Sequence, residues 1–302
     1  MKIGRIQIDR VADLENVRVP TSRGFPQLTR EMLQGYAAEF GPRHVDPVTL
    51  DLIMSFHTLV LRIGDKVILI DSCIGNDKNR PNHTVLGWSH RRGNFLEKLA
   101  AIGVTPEKVD VVMCTHLHAD HVGWNTKLMN GRWVPTFPNA RYIMAEAEYR
   151  HWLDQHRLGA SLSLDKVTAG SAVVHGAFAD SVLPVVESGQ AEMVPSTFKL
   201  QAGIHMEPAP GHTLGHVMIH IEDGSEHGVC TGDLIHHPFQ FSCPEMPTAY
   251  CEAPELASQT RVAFCDRYAD TKTLVMPAHF SAPSAGRIRR HGKLYKFAFE
   301  QL

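Results

Sequence analysis

Hydrophobic positions in this chain fall in short runs that stop abruptly at polar or glycine-rich residues. Two dense apolar runs, over residues 53–62 and 66–71, are separated by Gly64-Asp65 and predict a β-hairpin. Residues 95–102 instead carry apolar side chains at helical spacing and end at Gly103, which predicts a helix. A further strand is expected over 109–114, centred on Val111, Val112 and Met113, another over 141–144, and a helix over 145–156 with Tyr149 and Trp152 as core residues on one face. Strand patterns resume over 194–200, 204–207 and 217–221, the last alternating cleanly before Asp223-Gly224. Strand and helix runs thus occur twice in similar order, as two related sheet-plus-helix halves would produce. Residues 1–50, punctuated by Pro and Gly, are expected to form an N-terminal arm packed on the core, and residues 51–302 a single domain. The stretch over 72–92 lacks periodicity and reads as a long loop, and 161–189 as short helices mixed with loop.

The residues just past the 109–114 strand add chemistry to this outline. His116, His118, Asp120 and His121 place four potential metal ligands in six residues. In an extended chain the first three share a face, whereas His121 breaks that parity and joins them only if the chain bends at Asp120. Two metal positions become possible, one with His116 and His118, the other with Asp120 and His121. The second half offers three more candidates at strand ends. His212 lies in the Gly-rich turn Pro210-Gly211-His212-Thr213-Leu214-Gly215-His216, Asp233 ends Cys230-Thr231-Gly232-Asp233, and His279 ends Met276-Pro277-Ala278-His279. Strand exits along one sheet edge are where open α/β sites assemble.

Composition narrows the class. The 302 residues are 43% hydrophobic and 21% charged, enough to bury a large core. With 30 Lys+Arg against 32 Asp+Glu there is no electrostatic footprint for nucleic acid, and no basic or apolar run suggests a membrane. The N-terminus lacks a signal-peptide pattern, so a cytoplasmic location is expected. The partner is then a small-molecule substrate, with a homodimer compatible. Six cysteines without CxxC spacing read as reduced, mostly buried thiols.

Taken together, HxHxDH, PGHTxGH, TGD and PAH, in this order from about Ser55 onward, resemble the metallo-β-lactamase superfamily. The resemblance implies an α/β fold, a four-layer αβ/βα sandwich of two mixed β-sheets flanked by helices. It implies a first metal on His116, His118 and His212, a second on Asp120, His121 and His279, and Asp233 bridging both. Asp71 matches the family's structural aspartate, which is not a ligand. The implied cofactors are two divalent metal ions, zinc first, with iron, manganese or cobalt as alternatives. Two such ions lower the pKa of a bridging water, and Asp120 is the expected catalytic residue, orienting the nucleophile and passing a proton to the leaving group.

Within the family the chain looks most like the lactonase and methyl parathion hydrolase-like branch, which implies opening of a lactone or cleavage of an ester, organophosphates included. Trp124, Phe239 and Phe241 are candidate substrate-binding walls, with packing as their competing role. His216 is expected to orient a neighbour or bond within the core, and His236 and His237 to bond Asp233, line the pocket or lie on a polar loop. A mono-iron sulfur-dioxygenase-type enzyme, a β-lactam or thioester hydrolase, and a binding protein with structural metals are the alternatives.

Overall fold

The computed structural model describes residues 1–80, 87–158 and 176–300. Parts of the expected 72–92 loop and of the 161–189 stretch therefore lie outside the described residues. In chain order the strands are β1 (Lys2–Ile3), β2 (Ile6–Val19), β3 (Leu52–Ile63), β4 (Lys66–Ile70), β5 (Val111–Met113), β6 (Thr126–Met129), β7 (Arg132–Pro135), β8 (Arg141–Ala145), β9 (Ala191–Val194), β10 (Lys199–Gln201), β11 (Ile204–Pro208), β12 (Val217–Asp223), β13 (Glu226–Cys230), β14 (Leu274–Met276), β15 (Gly286–His291) and β16 (Leu294–Phe299). The helices are α1 (Thr21–Gly24), α2 (Arg30–Phe40), α3 (Phe95–Ala101), α4 (Ala119–Val122), α5 (Glu146–Arg157), α6 (Leu183–Glu187) and α7 (Pro254–Tyr268).

Two mixed seven-stranded sheets result, ordered β1-β2-β3-β4-β5-β8-β9 and β10 to β16 in sequence, with β6-β7 a separate hairpin. Parallel neighbours need crossovers. Accordingly α3 connects β4 to β5, α5 and α6 lie between β8 and β9, and α7 connects β13 to β14. The chain divides into two compact units, Met1–Asp13 with Phe56–Phe198 and Leu14–Ser55 with Lys199–Leu302. Residues 1–50 contribute β1 and the 14-residue β2 to the first sheet, together with α1 and α2. The single strand expected over 194–200 is instead two. Pro195 cannot donate to a ladder, its carbonyl accepts a turn hydrogen bond from the Phe198 N–H, and β10 starts in the other sheet. No helix among the described residues is long and apolar enough to cross a membrane.

Burial explains which elements form. The first ten residues of β3 are all buried, so it reads as an apolar run rather than an alternation. In the second unit α7 lays Phe264, Cys265 and Tyr268 into a core with Val229, Val275, Ile288 and Phe241. The six cysteines are free thiols, and burial pushes those of Cys73 and Cys114 well above the ordinary thiol range.

The loops leaving β4 and β5 are locked together in the first unit. Gly123 N–H donates to Cys73 O (2.7 Å), Trp124 N–H to Ser72 O (2.9 Å) and Ser72 N–H to His121 O (2.6 Å). Their backbones touch so closely that a Cβ on Gly123 would sit 1.8 Å from Ile74 O. One buried and one half-buried carboxylate extend the lock. Asp13 accepts from Arg91 (2.5 Å), Trp124 Nε1 and the Ile74 and Gly75 amides. Asp180 accepts both Arg80 guanidinium nitrogens, at 2.6 and 2.8 Å. Beside Arg80, the Lys78 ammonium donates to Thr126 Oγ1 and lies 3.6 Å over the Trp133 ring, and burial pulls its pKa down to about 7 against the attraction of Asp180.

A row of three imidazoles crosses β11, β12 and β13. His205 stacks on His220 at 4.7 Å, His220 Nδ1 meets His227 Nε2 at 2.9 Å, and His227 Nδ1 meets Thr273 Oγ1 at 3.1 Å. His220 Nε2 lies 3.2 Å from Glu207, itself paired with Arg267. Burial, then His205, His227 and Arg267, lower the His220 pKa from 6.5 to about 3.

Gly123→Ala must displace backbone and is expected to cost about 3 kcal/mol or more in urea unfolding, whereas Gly35→Ala in α2, where a Cβ meets nothing within 4 Å, should gain about 0.5–1 kcal/mol. Since the folded state holds His220 neutral, its contribution is complete above pH 6.5 and is lost as pH falls from there toward about 3. His220→Leu should flatten that acid limb by up to ~1.4 kcal/mol per pH unit in urea titrations of the metal-free protein, and an unchanged slope would dismiss the imidazole row as its source.

Candidate metal centre

The first unit builds its donor set where β5 runs out. After β5 the chain bends at Thr115 and reaches His118 in extended conformation, and α4 then begins at Ala119, which is the bend that His121 requires. His116 and His118 pack edge to face with ring centres 4.6 Å apart, and His116 and His121 lie at 4.0 Å. The donor atoms of His116 and His118 come within 4.8 Å, as do those of Asp120 and His121. All three imidazoles are at most 2% exposed. Asp120, at 12% side-chain exposure, is the most accessible of the four.

Asp71 shapes this loop. Its carboxylate accepts from the Thr115 N–H, the Thr115 hydroxyl and His121 Nδ1, each at 2.8 Å. With Nδ1 held there, His121 turns Nε2 toward Asp120, 3.6 Å away. Asp71 itself has φ of +58°, a left-handed conformation that Asp tolerates better than most residues. A second buried carboxylate, Glu148 on α5, accepts from the Leu117 N–H (3.0 Å) and Trp152 Nε1 (2.7 Å), and the Trp152 ring lies 5.7 Å from His118. Nothing in the sequence singles out Glu148, because an acidic residue in the first turn of a helix is ordinarily solvated.

The second unit gathers its donors around Asp233. His279 Nε2 lies 2.9 Å from Oδ1, while His212 Nε2 and His236 Nε2 lie 3.1 and 3.2 Å from Oδ2. Behind them, His279 Nδ1 meets Ser55 O at 3.1 Å and His212 Nδ1 faces the Cys251 sulfur at 3.8 Å. A metal-ligating histidine has one ring nitrogen held by a protein group and turns the other to the ion; His212 and His279 are held so, with both Nε2 atoms beside the Asp233 carboxylate, and this donor set fits a divalent ion. The close turn carrying His212 depends on Gly211, whose φ is +132° and whose Cβ would meet Ala257 N at 2.2 Å.

Electrostatics separate His212 from His236. Burial pulls His212 down, but Asp233 outweighs it and raises the pKa to about 10. His236 goes the other way, to about 3, because burial and its charged neighbours outweigh the same carboxylate. The same carboxylate thus favours a charge on His212 but not on His236.

The remaining histidines take definite positions. His216 accepts from the Asp233 N–H through Nε2 (3.0 Å), with Nδ1 3.1 Å from Ala209 O, so it orients the Asp233 loop. His237 meets His44 O at 2.9 Å and caps the turn Pro238–Phe241, away from Asp233. Trp124, Phe239 and Phe241 are buried in packing contacts within their own units. Trp124 stacks on Phe95 and donates to Asp13, Phe239 lies between Phe25 and Tyr36, and Phe241 stacks on Phe297. The aromatics beside His236 are Phe25 and the half-buried Tyr250, at 6.4 and 6.2 Å. No local pattern in the sequence marks either one.

Comparison with known proteins gives a consistent result. The sequence model described as the Metallo-beta-lactamase superfamily matches residues 57–279. Metallo-beta-lactamase domain-containing protein 1 of Xenopus laevis is 31% identical over 114 residues, 38% of this chain, and the match spans only 38% of that relative. Among solved structures, the fold is shared with the hydrolase AbOPH of the beta lactamase superfamily, at TM-score 0.81 and 24% identity, covering 100% of this chain and 97% of that one. It is also shared with AidC, a dizinc quorum-quenching lactonase solved with its product N-hexanoyl-L-homoserine, at TM-score 0.79 and 19% identity with the same coverage.

Removing the Asp71 carboxylate would strand the Thr115 amide and hydroxyl and release His121. Asp71→Ala is expected to cost about 3 kcal/mol or more in urea unfolding, and Asp71→Asn, which keeps acceptors on one oxygen, distinctly less. Equal losses in the two variants would mean that the carboxylate is not what holds the loop.

Proposed function

Because this chain belongs to the metallo-β-lactamase superfamily, we propose that it is a metal-dependent hydrolase that opens lactones or cleaves esters, organophosphates included. The observation that carries the reading is the Asp233 cluster, a buried carboxylate facing the Nε2 atoms of His212 and His279 while their Nδ1 atoms are held from behind. In this reading His116, His118 and His212 hold one divalent ion, Asp120, His121 and His279 hold a second, and Asp233 serves both. Zinc is the first choice, since imidazole and carboxylate suit it. When bound, the ions supply Lewis acidity and a nucleophile from water at neutral pH.

The chain's own residues divide the remaining work. Asp120 combines a ligand position with partial exposure, so its second oxygen can orient the nucleophile and deliver a proton to the leaving group. His216 and Asp71 hold the Asp233 and His121 loops in place. His236, neutral and against Asp233, offers a polar edge beside the half-buried Tyr250, whose ring would form a wall for an acyl or aryl group. The shared fold of a dizinc lactonase favours the lactone and ester class.

Metal analysis paired with kinetics tests this. The purified protein should carry two divalent ions per chain and hydrolyse members of a panel of homoserine lactones, aryl esters and paraoxon-type triesters, with a cephalosporin as control. Asp120→Asn should lower kcat by at least ~100-fold. One iron per chain with oxygen uptake would replace the reading with a redox enzyme, and full activity in Asp120→Asn would remove that residue from the chemistry.

A further inference from the structure

Within the second unit, the C-terminal end of α2 and the strand β16 border a cavity of about 440 Å³ that the proposed chemistry leaves unused. Its size falls among small-molecule sites. Phe40, Phe297 and Phe299 give it aromatic walls, with Phe40 and Phe299 only half-buried. Two cations border it. Lys296 is matched by Glu39 at 3.6 Å, but exposed Arg43 has no ion pair or hydrogen bond among the described residues, so the lining carries an uncompensated positive charge. His44, also in the lining, is stacked on Phe299 at 4.9 Å, and its buried Nδ1 has no hydrogen-bond partner among the described residues.

We propose that this cavity binds a small amphipathic anion, a flat apolar body bearing a carboxylate or sulfonate group. The phenyl walls take the apolar body, and the Arg43 guanidinium takes the anionic group in the two-pronged geometry that planar carboxylates match. His44, stacked on Phe299, adds an imidazole to the aromatic lining. Burial, reinforced by Arg43, lowers its pKa to about 4, so the ring is uncharged at neutral pH and leaves Arg43 as the unmatched cation. None of these residues belongs to the metal-ligand set, so the proposal stands apart from the reading of that centre.

The probe is 2-naphthoate, titrated into the full-length protein as purified, with 2-naphthamide as the neutral isostere. Saturable naphthoate binding is expected with Kd below about 1 mM, at least tenfold weaker for the amide and at least tenfold weaker in Arg43→Glu, a surface change that leaves the core intact. The ¹⁵N imidazole resonance of His44 should move during the titration. This separates the cavity from a carboxylate captured at the metal centre, which would leave His44 unmoved. Absence of saturable binding, equal affinity for acid and amide, unchanged affinity in Arg43→Glu, or binding with a stationary His44 resonance would each overturn the assignment.

Discussion

A carboxylate buried at the exit of a strand must find donors or lose its charge, and Asp71 finds them in the adjacent loop. By taking the Thr115 amide, the Thr115 hydroxyl and His121 Nδ1 it sets where the loop leaves β5, which way the His121 ring faces and where α4 begins. The positions of His116 and His118 are set in turn, because they lie on the short stretch between those fixed points. The donor set of the first unit is therefore built outward from an aspartate that is not itself one of the donors.

In the second unit the carboxylate stands inside the set. Asp233 is held from behind through its amide by His216 and faced by His212, His236 and His279. The surroundings admit one added positive charge and resist further ones, which is why His212 and His236 titrate in opposite directions beside the same carboxylate. A divalent ion satisfies such an arrangement better than a proton does, because it needs neutral imidazoles and an ionised carboxylate at once.

The ligand-type residues were legible because their chemistry is local and tied to strand ends, a pattern that survives without coordinates. The β3-β4 hairpin, α3 and β5 were legible for the same reason, each being a dense run with a clear stop. Other elements were hidden by tertiary demands. The alternation of β2 is interrupted by charged residues such as buried Asp13, and the Pro and Gly beyond it make the region look like an arm. Helix α7 buries Arg261, whose guanidinium donates to the Leu234, Pro244 and Met246 carbonyls, so its apolar stripe is broken where it matters most. Glu148 and Cys251 act through contacts made across sequence gaps of 31 and 39 residues, which no window reveals.

The contact between Ile74 and Gly123 has a bearing on how such a protein can diverge. Where two backbones meet without a side chain between them, neither loop can absorb an insertion or a bulkier residue at its root. Variation is confined to the parts of both loops that lie away from this contact. A lineage descending from this chain could therefore exchange residues away from this contact many times over while inheriting the roots of its loops unaltered.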